Sequence, residues 1–285
     1  MRWKRLLRSI ASACGLEGAL DRAKRLAAHD PRRLRRAAAF RRLNRGAAAE
    51  EIVLRPGFAL RIDPRSREPF EHFCFRSPEM AAELDAFLRR MPGRRRLLDV
   101  GACHGIFSLA FVHGRPEARA LAVEPSPIAC EILAGNVARN APANVEVVQA
   151  ALGEGSGTIR MRRSWHHLEA LGEGQEDDDA VTLPVVSVDD LCAGRGFRPD
   201  AVKIDVEGFE HAVLVGAREV LDRDRPVLSL EVHPERLAEL GSSTRAVAEL
   251  LAACRYRASA LDGRPLDLGR LTAREGVFRI LCLPL

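Results

Sequence analysis

The chain has 285 residues, 47% hydrophobic and 29% charged, a balance that describes a soluble globular protein with one large core or a core plus a small appendage. No apolar run approaches the length of a transmembrane helix, and the seven cysteines (14, 74, 103, 130, 192, 254 and 282) show no C-x-x-C pair or metal-like spacing. No disulfide framework is therefore expected, and a reducing, cytoplasmic setting is. The net charge of +5 is uneven: residues 1–50 hold fourteen Lys and Arg against four Asp and Glu, an excess of ten, which leaves residues 51–285 five charges negative.

Residues 1–10 put Trp3, Leu6, Leu7 and Ile10 on one helical face with Arg and Lys around the rest, a short basic amphipathic helix. The apolar stretch between Arg8 and Cys14 is too short for a signal peptide. Asp30 followed by Pro31 predicts a helix start, with the helix running through Leu34, Phe40 and Leu43 to Gly46. Its arginines almost surround it, which reads as a solvated face or as a contact for an anionic membrane surface or acidic partner. Aromatic residues that would stack on bases are not interleaved, so nucleic acid is not an expected partner. Residues 1–50 are thus expected to form a basic helical extension, peripheral to a membrane where it meets one.

Residues 51–63 contain an apolar run, Pro56-Gly57, then Phe58, Leu60 and Ile62 in alternation, which predicts a β-hairpin. Ser77-Pro78-Glu79 predicts the cap of a helix through Leu84, Phe87 and Leu88, stopped by Pro92-Gly93. Residues 51–95 therefore lead into a core domain spanning 96–285.

That domain opens on Leu97-Leu-Asp-Val-Gly-Ala-Cys-His-Gly105, an apolar strand entering a tight glycine turn with a helix directly behind it. Strand, glycine loop and helix start are what a nucleotide-like ligand needs, since glycine lets backbone approach it. A second strand, Ala118 to Glu124, ends in an acid placed to accept from both ribose hydroxyls. Cys103 stands where a dinucleotide fingerprint has its second glycine, and no third glycine is in register, so pyrophosphate fits poorly. S-adenosylmethionine, which has no phosphate, is the preferred ligand. NAD, or a glycine turn without ligand, remains open on these residues alone.

The order that follows is helix (105–113), strand (119–123), helix (127–139) and strand (145–149), an alternation that calls for parallel strands covered on both faces. An insertion interrupts it, with short strands at 157–161 and 181–186, a glycine-rich acidic loop at 172–179 expected to be mobile, and Trp165, His166 and His167 as acceptor-pocket candidates or an exposed loop cluster. Ala201 to Asp205 is the fourth core strand, 209–221 a helix, 226–232 the fifth strand, 243–254 a helix, and two late strands finish an antiparallel edge.

Leu98-Asp-Val-Gly-Ala-Cys-His-Gly105, Val123-Glu-Pro-Ser-Pro127, Val186-Ser-Val-Asp-Asp-Leu191 and Val202-Lys-Ile-Asp-Val-Glu-Gly-Phe-Glu210 occur in that order, and with them the chain resembles the FkbM family of S-adenosylmethionine-dependent methyltransferases. The resemblance covers roughly residues 95–235, and its most specific piece is Lys-Ile-Asp-Val-Glu-Gly. It implies a Rossmann-like class I methyltransferase fold, α/β, with a mostly parallel seven-stranded sheet, helices on both faces and an antiparallel edge. It also implies O-methylation of a hydroxyl on a small molecule or sugar. The family usually has Asn where Cys103 stands, so a polar loop contact is missing here or rerouted through His104.

In a parallel sheet the ligand lies beyond the carboxyl ends of the strands. Asp99, Gly101, Ala102, Cys103, Gly105, Glu124 and Ala150 are therefore the cofactor-binding candidates, with Asp99 facing the charged methionine end. Methyl transfer to a hydroxyl needs a proton acceptor, for which Asp205, Glu207 and His233 are the candidates. Lys203, one of three lysines against 41 arginines, holds Asp205 ionised or forms a structural pair with it. Glu210 reads as a capping or surface acid. Asp205, Glu207, Glu231 and His233 together offer oxygen and imidazole ligands to a divalent cation, but no tight spacing demands one and no metal ligand is assigned. An NAD-dependent oxidoreductase and a non-catalytic ligand-binding protein of the same fold are the alternatives.

Overall fold

The computed structural model describes residues 31–141, 143–163, 168–170, 180–271 and 276–285. The helix expected at residues 1–10, the loop at 172–179 and the Trp165-His166-His167 cluster lie outside the described residues.

Helix α1 (Pro31–Leu43) leads to the hairpin β1 (Glu51–Arg55) and β2 (Phe58–Arg61). Phe40 is buried with its ring centroid 4.6 Å from that of Phe75. Asn44 ties the helix end to the hairpin, donating to the Phe40 and Val53 carbonyls and accepting from the Val53 amide at 2.8 Å. Residues 40–44 therefore pack with the body, although their sequence groups them with the basic extension. Helix α2 (Pro78–Arg89) follows, its start fixed by Ser77 Oγ accepting from the Met80 amide and by Pro78 in the first turn.

The core alternation is as expected: β3 (Arg96–Val100), α3 (Ile106–Val112), β4 (Arg119–Val123), α4 (Pro127–Asn140) and β5 (Val145–Val148). The insertion forms a separate four-stranded sheet of β6 (Ala151–Leu152), β7 (Gly157–Arg163), β8 (Leu168–Ala170) and β9 (Ala180–Val186), in the order β6-β9-β7-β8. Then come α5 (Val188–Arg195), β10 (Ala201–Ile204), α6 (Glu210–Val215), α7 (Arg218–Arg223), β11 (Val227–Val232), α8 (Pro234–Glu239), α9 (Thr244–Ala253), β12 (Tyr256–Ser259), β13 (Pro265–Leu266) and β14 (Phe278–Pro284).

The main sheet has the order β13-β12-β14-β11-β10-β3-β4-β5. Pairings from β11 through β10, β3 and β4 to β5 are parallel, and those of β14, β12 and β13 antiparallel. The one strand beyond seven is the two-residue β13, folded back on β12 around the Asp262-Gly263 turn. Strand alternation sorts the core into two layers. Leu98, Val100, Val202 and Ile204 face a cluster with α5, α6, α7 and α9, whereas Leu97 and Ala201 face one built with residues 40–91 and α3.

One expected helix over 209–221 is two. Gly216 packs so closely that a Cβ on it would lie 2.1 Å from the Gly153 carbonyl oxygen, and its own carbonyl accepts from the Asp189 amide. The Asp189 carboxylate takes the Glu219 and Val220 amides at 3.0 and 2.9 Å and so starts a new helix there. Helices α5 and α8 were not anticipated. Each is short, and the cap of α5, Ser187 Oγ to the Asp190 amide, is its clearest local signal.

Because Phe40 packs α1 against Phe75, Phe40→Ala is expected to lower the unfolding free energy by about 3–5 kcal/mol, the usual cost of emptying a buried aromatic site. Denaturant titration measures this, and an unchanged value would place α1 outside the packed body.

Candidate active site

The chain leaves β3 toward β4 and β5 on one side and returns to β10 and β11 on the other, so β3 and β10 are neighbours whose connections diverge. A crevice opens at such a switch point, beyond the strand ends. Gly101 and Asp205 meet there: Gly101 has φ +77°, and a Cβ on it would stand 1.9 Å from the Asp205 carbonyl oxygen. Gly105 begins α3 at φ +88°, a conformation that favours glycine, and a Cβ there would crowd Leu133 Cδ1 at 2.5 Å. Cys103 holds the left-handed conformation at φ 49° without being glycine.

Glu124, at the end of β4, organises that loop. Its Oε2 accepts from the Cys103 amide and its Oε1 from the Ser126 amide, both at 2.8 Å. Burial pushes its carboxyl up to about 7, against the two amide bonds that pull it down. Burial likewise pushes the Cys103 thiol up to about 12, so it presents a neutral S–H to the site.

A cavity of about 710 Å³ joins Gly101, Ala102, Cys103, Glu124 and Ala150 to Lys203, Asp205, Glu207 and Glu231. Its apolar walls combine core residues such as Val100, Phe107 and Val123 with Phe70, Phe73 and Met80 from the lead segment and Ile159, Met161 and Val185 from the inserted sheet. Two expected cofactor residues do not line it. Asp99 turns away, its Oδ2 accepting from the Ser108 amide at 3.1 Å and hydroxyl at 2.6 Å, and burial raises it to about 6. It braces α3 instead of facing a ligand. Gly105 packs on Leu133.

Lys203 is fully buried on β10, with its Nζ 3.2 Å from Glu83 Oε1, 3.4 Å from Asp205 Oδ2 and 5.0 Å above the Phe107 ring. Burial alone would lower its pKa, but Asp205, Glu83 and Glu231 outweigh that and hold it above the usual lysine value. Asp205 is driven up by burial and pulled further down by Lys203 and His233, ending below the ordinary carboxylate value. Glu231 goes the other way, up to about 8, through burial and the neighbouring Asp205. Glu207 sits at φ 50°, a strained conformation for a non-glycine residue at the cavity.

His233, just before α8, is buried behind Glu207, its Nδ1 2.7 Å from Glu210 Oε1 and its Nε2 3.6 Å from Glu207 Oε2. Burial would keep the ring neutral, but the Glu210 hydrogen bond and the nearby acids raise its pKa. Glu210 is fully buried, so it is not a surface acid, although its Oε1 does accept from the Gly208 amide as a capping residue would.

Two residues of this site escaped the sequence reading. Glu83, buried on α2, uses Oε1 for Lys203 and Oε2 for Arg279 Nε at 2.8 Å, and Arg279 of β14 also pairs with Glu231. The signal for Glu83 was its place three residues after Met80 and four before Phe87, on the apolar face of a helix.

The model of the methyltransferase FkbM domain family matches residues 99–258. The chain is also similar to the methyltransferase sdnD of Sordaria araneosa, 28% identical over 165 residues that cover 46% of this chain and 64% of that protein. The match therefore spans less than two thirds of that relative's length. Among solved structures, a methyltransferase FkbM from Methylobacillus flagellatus KT aligns with TM-score 0.47 and 18% identity, covering 98% of this chain and 70% of that one. An O-methyltransferase from Bacillus cereus in complex with SAH aligns with TM-score 0.43 and 17% identity, covering 73% and 81%.

Removing one member of a buried ion pair strands its partner, at about 3–5 kcal/mol. Lys203→Met is therefore expected to lose about that much unfolding free energy, and Glu83→Gln with Lys203→Met to lose less than the two single losses added. Strict additivity in denaturant melts would show that the pair is not coupled.

Proposed function

The chain belongs to the FkbM methyltransferase family, and from that premise we propose that it transfers the methyl group of S-adenosylmethionine to a hydroxyl of a small molecule or sugar. The observation that carries this reading is the single cavity that holds both a glycine loop with an acid behind it and an ionised carboxylate beside a buried lysine. Residues 51–95 then supply a wall and Glu83, and residues 96–285 the donor and proton-handling groups.

The residues at the loop suit the donor. Each Glu124 oxygen accepts one amide and keeps a second lone pair for a ribose hydroxyl, while Ala102, Ala150 and the apolar walls leave a slot for a flat base. Cys103 stands where a dinucleotide fingerprint has its second glycine, which disfavours a dinucleotide. When bound, the donor supplies a methyl group on a positively charged sulfur that departs as a neutral thioether.

The remaining steps belong to the chain. Asp205 reaches the cavity with its side chain 27% exposed, and Lys203 holds it ionised without itself being accessible. Its carboxylate would take the proton of an acceptor hydroxyl as that oxygen is methylated by a bound donor, and would end as a protonated carboxyl. The Lys203 ammonium steadies the negative charge throughout. Phe70, Phe73 and Phe107 keep water from the reacting oxygen.

Glu124→Ala should weaken binding of the donor and of its demethylated product by about 10–100-fold in calorimetric titration, since it removes charged hydrogen bonds of about 1.5–3 kcal/mol. The carboxyl at about 7 gives this a pH signature: below 7 it carries a proton and accepts less well, so the parent's affinity rises as pH goes from 6 to 8. The variant's stays flat. An unchanged affinity in the variant would relocate the adenosine.

Asp205→Asn should bind donor within a few fold of the parent and lose methyl transfer to hydroxyl acceptors by roughly 100–10,000-fold, the range for losing acid–base assistance. Release of the demethylated donor, followed across a panel of small alcohols and sugars, reads this out, and full turnover in the variant would remove Asp205 from the chemistry.

A further inference from the structure

Behind the cavity floor the acids outnumber the cations. Asp205, Glu207, Glu210, Glu231 and Glu83 surround a space in which only Lys203 and Arg279 are permanent cations among the described residues. Both cations are shared with Glu83, Lys203 standing 3.4 Å from Asp205 Oδ2 and Arg279 on Glu231 Oε1, so five carboxylates still face two cations. Asp205, Glu231 and His233 each present a ligand atom, all within 4.8 Å of one another. Donors about 2.0–2.4 Å from a shared ion stand at most about 4–4.8 Å apart, so the three need little movement to hold one.

Two further features single out this cluster. Glu231 is 96% buried, being only 4% exposed, yet it lines the cavity and its Oε2 has no hydrogen-bond partner among the described residues. A buried carboxylate oxygen left unpaired is costly, and a cation is a partner that would satisfy it. His233 also has the posture of a ligand: its Nδ1 hydrogen of one tautomer is taken by Glu210 Oε1, which leaves the Nε2 lone pair turned toward Glu207 and Glu231.

We propose that Asp205, Glu231 and His233 form a binding site for a hard divalent cation, magnesium or manganese. Two carboxylates and one imidazole suit such an ion, and three protein ligands leave positions for water or an acceptor oxygen. Glu210 is its positioning residue, setting the tautomer and direction of the ring. An ion there would lower the cost of proton loss from a hydroxyl bound to it.

The test uses the full chain stripped with a chelator and manganese(II) alone, with neither donor nor acceptor, so its failure leaves the proposed methyl transfer untouched. Calorimetry should find one manganese per chain. Glu231→Gln and Glu210→Gln should each weaken it by about 10–100-fold, while the exposed Glu239→Gln should leave it unchanged. Pulsed electron paramagnetic resonance of the parent complex should show nitrogen coupling from one imidazole, a readout that does not depend on whether the variants fold. Absence of stoichiometric binding, absence of nitrogen coupling, or equal affinity in Glu231→Gln and parent would each overturn the site.

Discussion

Everything about the cavity floor depends on one buried carboxylate. Glu83 is fully enclosed and divides its two oxygens between Lys203 on β10 and Arg279 on β14, and Arg279 reaches on to Glu231 on β11. A helix outside the alternating core thereby clamps three strands of the sheet. Charges this deep repay their lost hydration only when each finds several partners, and the network meets that condition by sharing. Without Glu83, two cations would face the acids of the floor unrestrained, and the balance that keeps Asp205 ionised beside a raised Glu231 would shift.

The loop above that floor is built on a steric constraint. Gly101 passes so close to the Asp205 carbonyl that no side chain fits, which fixes the end of β3 against the end of β10. The same contact sets the spacing between the donor-side loop and the proton-handling acid. Cys103, two residues on, must adopt a left-handed conformation that Asn tolerates better than Cys, and its amide goes to Glu124. The backbone, not the thiol, makes the contact the loop needs.

The parts of the fold with strong local signals were legible in the sequence. The glycine turn after Leu97–Val100, the capped helix at Ser77, the hairpin around Pro56-Gly57 and the parallel alternation follow from periodicity and turn chemistry. The departures share one cause, pairing between different elements of the chain. Gly216 breaks a helix because Gly153 and Asp189 approach it from elsewhere in the chain. Asp99 turns to Ser108 because α3 brings that hydroxyl within reach. Glu83 and Arg279 join a site that no spacing rule connects, since 196 residues separate them. Glu210 read as a capping or surface acid because its partner His233 sits on another element.

That separation of 196 residues also sets an order of events in synthesis. At about 5–20 residues per second, Arg279 leaves the ribosome roughly ten to forty seconds after Glu83. β10 and β11 emerge only in the later part of that interval and β14 at its end, so for most of it Glu83 lacks its partners and must stay hydrated. The lead segment therefore waits for the sheet, and a nascent chain with a long-lived sticky face is the kind of client that holding chaperones take up.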